Sequence, residues 1–148
     1  LNDTCNLFKW QFFLDTHFDY LKEKYNYLKK PYIVFFVSPF DTTFFLKDKN
    51  YDFGKSHKEL SNQNLNMRES GCISLDLAYV GAGRLDGVWG YDINILDIAA
   101  GALIAQEGGA LTSNFLGDPK YINGNNIIVS TAKIYKSLLK SIKPYFKG

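Results

Sequence analysis

Residues 68–109 read RESGCISLDLAYVGAGRLDGVWGYDINILDIAAGALIAQEGG, and this stretch decides the fold. Ile73, Leu77 and Val80 recur at i, i+4 and i+7, with Ala78, Gly81 and Ala82 beside them. That spacing predicts a short helix whose small residues let another element approach closely. Gly83 is placed to stop it, and Asp86-Gly87-Val88-Trp89 predicts a turn into a short strand. A second helix is predicted from about Ile98 to Gln106. Its residues are apolar nearly all round, so it is expected to be buried rather than to lie at the surface. Asp97 stands at its N-cap position and Gly108-Gly109 ends it.

Toward the C-terminus, Ala110-Leu111-Thr112 and Ile127-Ile128-Val129 read as strands. Ser130 or Thr131 opens a last helix in which Tyr135, Leu138, Leu139 and Ile142 form one face, and Pro144 closes it. Toward the N-terminus, the β-branched and aromatic run Tyr32-Ile-Val-Phe-Phe-Val37 reads as a strand buried on both faces, broken by Ser38-Pro39. Leu7, Leu14, Leu21 and Leu28, flanked by Trp10, Phe18 and Tyr25, predict one or two amphipathic helices over residues 6–30, ended by Pro31. Residues 47–66 are polar and read as loop or linker. Alternating strands and helices predict an α/β, or layered α+β, architecture. The expected organisation is an aromatic-rich segment over residues 1–64 and a C-terminal domain over 65–148.

The composition fits a globular chain. Of 148 residues, 46% are hydrophobic and 22% charged, which argues against disorder as the main state. Seventeen basic and 15 acidic residues leave a net charge of +2. No basic run exceeds the pair Lys29-Lys30, so the linear sequence carries no direct nucleic-acid signature. Cys5 and Cys72 have neither metal nor redox spacing; a reducing compartment is the simplest reading, with one long-range disulfide left open. The apolar run at 32–37 is far too short to span a membrane, and Lys9 interrupts the N-terminal apolar stretch, so no signal peptide is visible. The expected location is intracellular: cytoplasmic, or organellar given the Lys-, Asn- and Ile-rich composition. His17 and His57 have no partners at catalytic spacing.

Two blocks carry a resemblance. SG-x-x-SLDLAYVGAGRLDG, Ser70 to Gly87, and LDIAAGALIAQEGGALTS, Leu96 to Ser113, together resemble the C-terminal half of the inositol monophosphatase family, which includes the bacterial extragenic-suppressor proteins. The closing NIIVSTAKIYKSLLKSI is similar to that family's last strand and helix. The resemblance covers about eighty residues. It implies a layered sugar-phosphatase fold, incomplete here, and a Mg²⁺-dependent phosphomonoesterase acting on inositol monophosphate or a similar sugar phosphate. In that chemistry carboxylates hold Mg²⁺, which polarises the phosphate and activates water.

The resemblance also implies roles for single residues. Asp97 matches a metal-binding aspartate; as a plain N-cap it would contribute about 1 kcal/mol, and both roles are compatible. Ser38-Pro39-Phe40-Asp41-Thr42-Thr43 echoes the family's D-P-I-D-G-T motif. Asp41 then matches a second metal ligand, Thr42 a phosphate contact, and Thr43 the catalytic residue that meets the nucleophilic water. A Pro-containing turn with Asp41 bonded locally is the alternative. Ser38 replaces the motif's first aspartate and is a poor Mg²⁺ ligand. Gly71 and Cys72 match a substrate-binding segment, although Cys72 stands where Ser or Thr is usual and Ile73 replaces a small residue. Gly90 replaces the glutamate that bonds sugar hydroxyls, and the glutamate-pair metal motif has no counterpart. Those losses imply an alternative: a catalytically inactive relative kept as a structural or interaction subunit. In either case another surface, from a homo-oligomer or a larger assembly, is expected to cover the apolar helix.

Overall fold

The computed structural model describes residues 32–37, 50–63 and 65–147. The helices predicted over 6–30, and the segment holding Ser38, Asp41, Thr42 and Thr43, lie outside the described residues.

One five-stranded mixed sheet has the order β2-β1-β3-β5-β4. β1 (Tyr32–Val37) runs parallel to both neighbours, β2 (Asn66–Arg68) and β3 (Gly87–Tyr91). β5 (Asn126–Ser130) is antiparallel to β3 and to β4 (Leu111–Ser113). Parallel neighbours require crossovers. These carry α1 (Phe53–Asn62) between β1 and β2, and α2 (Ile73–Gly81) between β2 and β3. α3 (Ile95–Glu107) joins β3 to β4, and α4 (Ala132–Ile142) follows β5. The α/β architecture read from the sequence is therefore present.

Strand alternation divides the core. Val88, Ile127 and Val129 point to one face of the sheet and pack with Leu77 and Val80 of α2 and Ile98, Ala102 and Ala105 of α3. Trp89, Tyr91 and Ile128 point to the other and pack with Leu60 of α1 and Ile134, Leu138 and Ile142 of α4. β3 and β5 are buried along their whole length because both faces are covered. On the α1–α4 side, Trp89 Nε1 donates to Tyr51 Oη at 3.2 Å, and Tyr51 Oη pairs with Ser56 Oγ at 2.6 Å. Burial pushes the Tyr51 phenol up to about 12, so it stays a neutral bridge.

α2 and α3 end alike. Gly83 (φ 70°) and Gly109 (φ 86°) take the left-handed conformation past each helix. Arg84 N then donates to Tyr79 O at 2.9 Å, and Ala110 N to Ala105 O at 2.9 Å, closing two Schellman motifs.

The structure corrects the sequence reading at α1 and α3, and adds β2, which the sequence reading did not place. Residues 53–62, expected to be loop, form α1: Asp52 caps it, accepting from Lys55 N at 3.0 Å, and buried Ser56 and Leu60 anchor it. Two inward residues make a weak periodic signal, and only the sheet supplies the surface that stabilises it. α3 is not buried on all sides. Ile98, Gly101, Ala102 and Ala105 face inward, but Leu96, Leu103 and Ile104 are 84%, 58% and 51% exposed. The sheet and α2 cover only the inward side of this helix. Among the described residues no helix is long and apolar enough to cross a membrane.

Candidate active site

Val37 of β1 lies opposite Tyr91 of β3, so the chain leaves these parallel strands at the same end of the sheet. Ligands of open α/β sheets bind outside that carboxyl end. Past Val37 comes the SPFDTT segment, outside the described residues. Past Tyr91, Asp92 turns the chain in the left-handed region (φ 56°), which Asp tolerates better than bulky residues do. α3 then begins.

Asn94, not Asp97, caps α3: its side chain accepts from Leu96 N at 3.0 Å. The helix starts three residues before the predicted Ile98 because Asn94 satisfies its first turn and Ile95 packs against the core. The Asn94-x-x-Asp97 spacing resembles a capping box and is the sequence signal for this start. Asp97 instead sits in the first helical turn, exposed, where the helix dipole favours a carboxylate. Its carboxylate has no partner among the described residues, whereas its backbone carbonyl accepts from Ser74 Oγ at 2.5 Å. That bond ties the first turns of α2 and α3 together.

Gly71 (φ 80°) and Cys72 precede α2, and both are exposed. Cys72 is a free thiol at the N-cap position and makes no side-chain cap bond. Ser70 holds this turn, since Ser70 Oγ accepts from Cys72 N at 3.2 Å and donates to the carboxylate of Asp76. Asp76 is buried. Burial raises its carboxyl above the usual carboxylate range, against the smaller opposing effects of the Ser70 bond and the Arg68 charge. A carboxyl raised in the folded state contributes its full stability below its unfolded value near 3.8, and that contribution falls as pH rises through the folded value. Asp76→Asn keeps an acceptor for Ser70 and removes the titration. Its stability relative to the parent chain should therefore rise between about pH 4 and pH 7, as read by urea midpoints; a pH-independent difference would contradict this.

Gly90, near the carboxyl end of β3, faces the α2–α3 side. A Cβ there would lie 2.5 Å from Ile93 Cδ1 and 2.7 Å from Ile73 Cδ1. The two buried isoleucines thus fill the space over Gly90. Ile73 narrows the cleft as its size suggests; Ile93 has no local sequence signal and acts only through the turn at Asp92.

The structure therefore gathers Asp97, Gly71, Cys72 and Gly90 around the first turns of α2 and α3. Asp41, Thr42 and Thr43 lie outside the described residues. Among the described residues no three His, Cys, Asp or Glu side chains converge as a metal site. The unpaired Asp97 carboxylate suits a hard dication, but as one ligand of a set whose other members must come from elsewhere.

Comparison with known proteins agrees with this geometry. The chain is 41% identical over 88 residues to the Nus factor SuhB of Pseudomonas aeruginosa, covering 60% of this chain and 32% of that protein. It is 38% identical over 77 residues to an inositol-1-monophosphatase of Mesorhizobium japonicum, covering 52% and 29%. The chain thus spans about a third of the length of these relatives. Among solved structures, the extragenic suppressor protein suhB of Bartonella henselae superposes with a TM-score of 0.65 at 26% identity, over 78% of this chain and 43% of that one. The IMPase of Thermotoga maritima gives 0.63 at 28% identity, over 78% and 42%. The family model for inositol monophosphatases matches residues 37–145, from the end of β1 to the turn after α4. By the sheet, the paired helices and this match, the chain belongs to the inositol monophosphatase family.

Proposed function

We propose that the chain carries a Mg²⁺-dependent phosphomonoesterase site of the inositol monophosphatase type, at the carboxyl end of its parallel strands. The observation that carries this reading is Asp97: an exposed, unpaired carboxylate at the carboxyl end of β3, beside the first turn of α2. In this reading Asp97 and Asp41 hold Mg²⁺, which when bound neutralises phosphate charge and lowers the pKa of water. Gly71 and Cys72 present the N-terminus of α2 to the phosphate oxygens, with Thr42 as a further contact. Thr43 orients the attacking water. The substrate is inositol monophosphate or a similar sugar phosphate, held with fewer hydroxyl contacts because Ile73 and Ile93 occupy the space over Gly90.

The test is phosphate release from inositol 1-phosphate by the folded chain, with and without Mg²⁺, beside Asp97→Asn. Turnover that needs Mg²⁺ and falls at least ~100-fold in the variant is expected, since a lost metal ligand of this kind costs several kcal/mol of transition-state stabilisation. A folded chain with no turnover, and no Mn²⁺ binding that Asp97→Asn removes, would overturn it. That outcome favours the second reading, a catalytically inactive subunit. The observation behind it is the outward face of α3, where Leu96, Leu103 and Ile104 form an exposed apolar stripe of the kind that marks protein contacts.

A further inference from the structure

The charges of the chain balance overall but separate along its length. Between Arg84 and Lys120 there is no basic residue, and Asp92, Asp97 and Glu107 lie on or beside α3. From Pro119 to Gly148 there is no acidic residue and six lysines. Five of these, Lys133, Lys136, Lys140, Lys143 and Lys147, recur at intervals of three, four, three and four. All five are exposed. At 3.6 residues per turn, Lys133, Lys136 and Lys140 fall within an arc of roughly 60° on α4, about 5 Å apart along the axis. Ile134, Leu138 and Ile142 occupy the opposite side and are buried against the sheet.

This burial decides what the face can bind. A basic amphipathic helix can lie in a membrane surface only by inserting its apolar side, and here that side belongs to the core. What remains outward on α4 itself is Lys133, Lys136 and Lys140, on one side of the helix; beyond its end, Lys147 lies near enough to Asp52 to favour that carboxylate's charged form. Two carboxylates lie on neighbouring α1. Asp52 is 2.8 Å from Lys55, and Glu59 accepts from Gln63 Nε2 at 3.3 Å beside the groove that Lys140 and Tyr145 also line. Lys143 Nζ donates to Leu116 O at 3.0 Å, an uncharged partner that leaves its charge unneutralised.

We propose that the lysine row of α4 docks the sugar-phosphate backbone of a nucleic acid. A linear polyanion with regular charge spacing matches a linear row of cations, and Lys binds phosphate as a point charge without reading sequence. The proposal is independent of the phosphatase reading, because α4 packs on the opposite face of the sheet from α2 and α3.

Fluorescence anisotropy of the full chain with labelled RNA and DNA single strands of about 20 nucleotides tests it, across roughly 50 to 200 mM KCl. Binding to either strand is expected, with log K falling against log[salt] at a slope of about −3, as four or five phosphate contacts give. The triple variant Lys133→Glu, Lys136→Glu, Lys140→Glu should bind at least ~10-fold more weakly, with the slope flattened by about 2. The matching triple glutamine variant should fall between. Lys120→Glu should be unchanged, because neighbouring Tyr121 packs on the α2–α3 side. Circular dichroism checks that each variant folds. Absence of binding at the lowest salt overturns the proposal, as does a triple variant that binds like the parent. Binding to phosphatidylserine vesicles without binding to either strand also overturns it.

Discussion

Gly90→Glu should destabilise the chain by about 4 kcal/mol, which is a large part of the stability of a domain this size. The Cβ alone would lie within 2.7 Å of both Ile73 and Ile93. Forcing extra atoms into a packed core costs about 1–3 kcal/mol. Burying a carboxylate without a partner adds about 1–3 kcal/mol. The two isoleucine tips can rotate only partly, because both residues are nearly inaccessible already. Urea unfolding at pH 7 should show the loss as a lower midpoint with an unchanged slope. Combining the change with Ile73→Ala isolates the cause. Each single substitution destabilises, but the alanine vacates the space that the glutamate needs. The double variant should be more stable than the sum predicts, by about 1 kcal/mol or more. Strict additivity would mean that these side chains do not share one space, and the account of a cleft filled over Gly90 would fail. The outcome bears on the proposed function as well, because the space over Gly90 lies beside the first turn of α2.

Gly108→Val should cost about 3 kcal/mol, at the upper end for overpacking. Gly108 has φ −75°, so backbone strain is not the reason. The obstacle is the end of α2: a Cβ would press on the Gly81 carbonyl oxygen and lie 2.7 Å from Gly81 Cα. Backbone cannot rotate away as a side chain can. The same approach recurs at Gly101, whose Cβ would lie 2.8 Å from Ser74 O and from Leu77 Cβ. α2 and α3 are thus held together along glycines, and separating them would also break the Ser74–Asp97 bond at the candidate site. Differential scanning calorimetry should show the loss as a lower melting temperature. A variant within ~0.5 kcal/mol of the parent, the usual range for a surface change, would mean that the helices can separate without cost.

Much of this fold was legible locally. The spacing of Ile73, Leu77 and Val80 placed α2, Gly83 and Gly108-Gly109 placed two helix ends, and the continuous apolar runs placed β1 and β5. These features are local because they depend on periodicity and on the conformations a glycine allows. α1 was not legible: Ser56 and Leu60 are too few to mark a face, and the helix exists because it covers Trp89 and Ile128. Asp97 reads from the sequence as the N-cap of α3, but the cap bond to Asn94 starts the helix earlier and moves Asp97 into its first turn.

The sequence by itself determined the types of the elements other than α1 and β2, the α/β class and the family resemblance, because each rests on short-range spacing. The tertiary structure decided what those elements do to one another. It closed the space over Gly90 with Ile93, exposed the outer stripe of α3 and buried Asp76 beneath Ser70. The physical reason is common to all three: burial depends on which surfaces the sheet brings together, and no local window of residues contains that information.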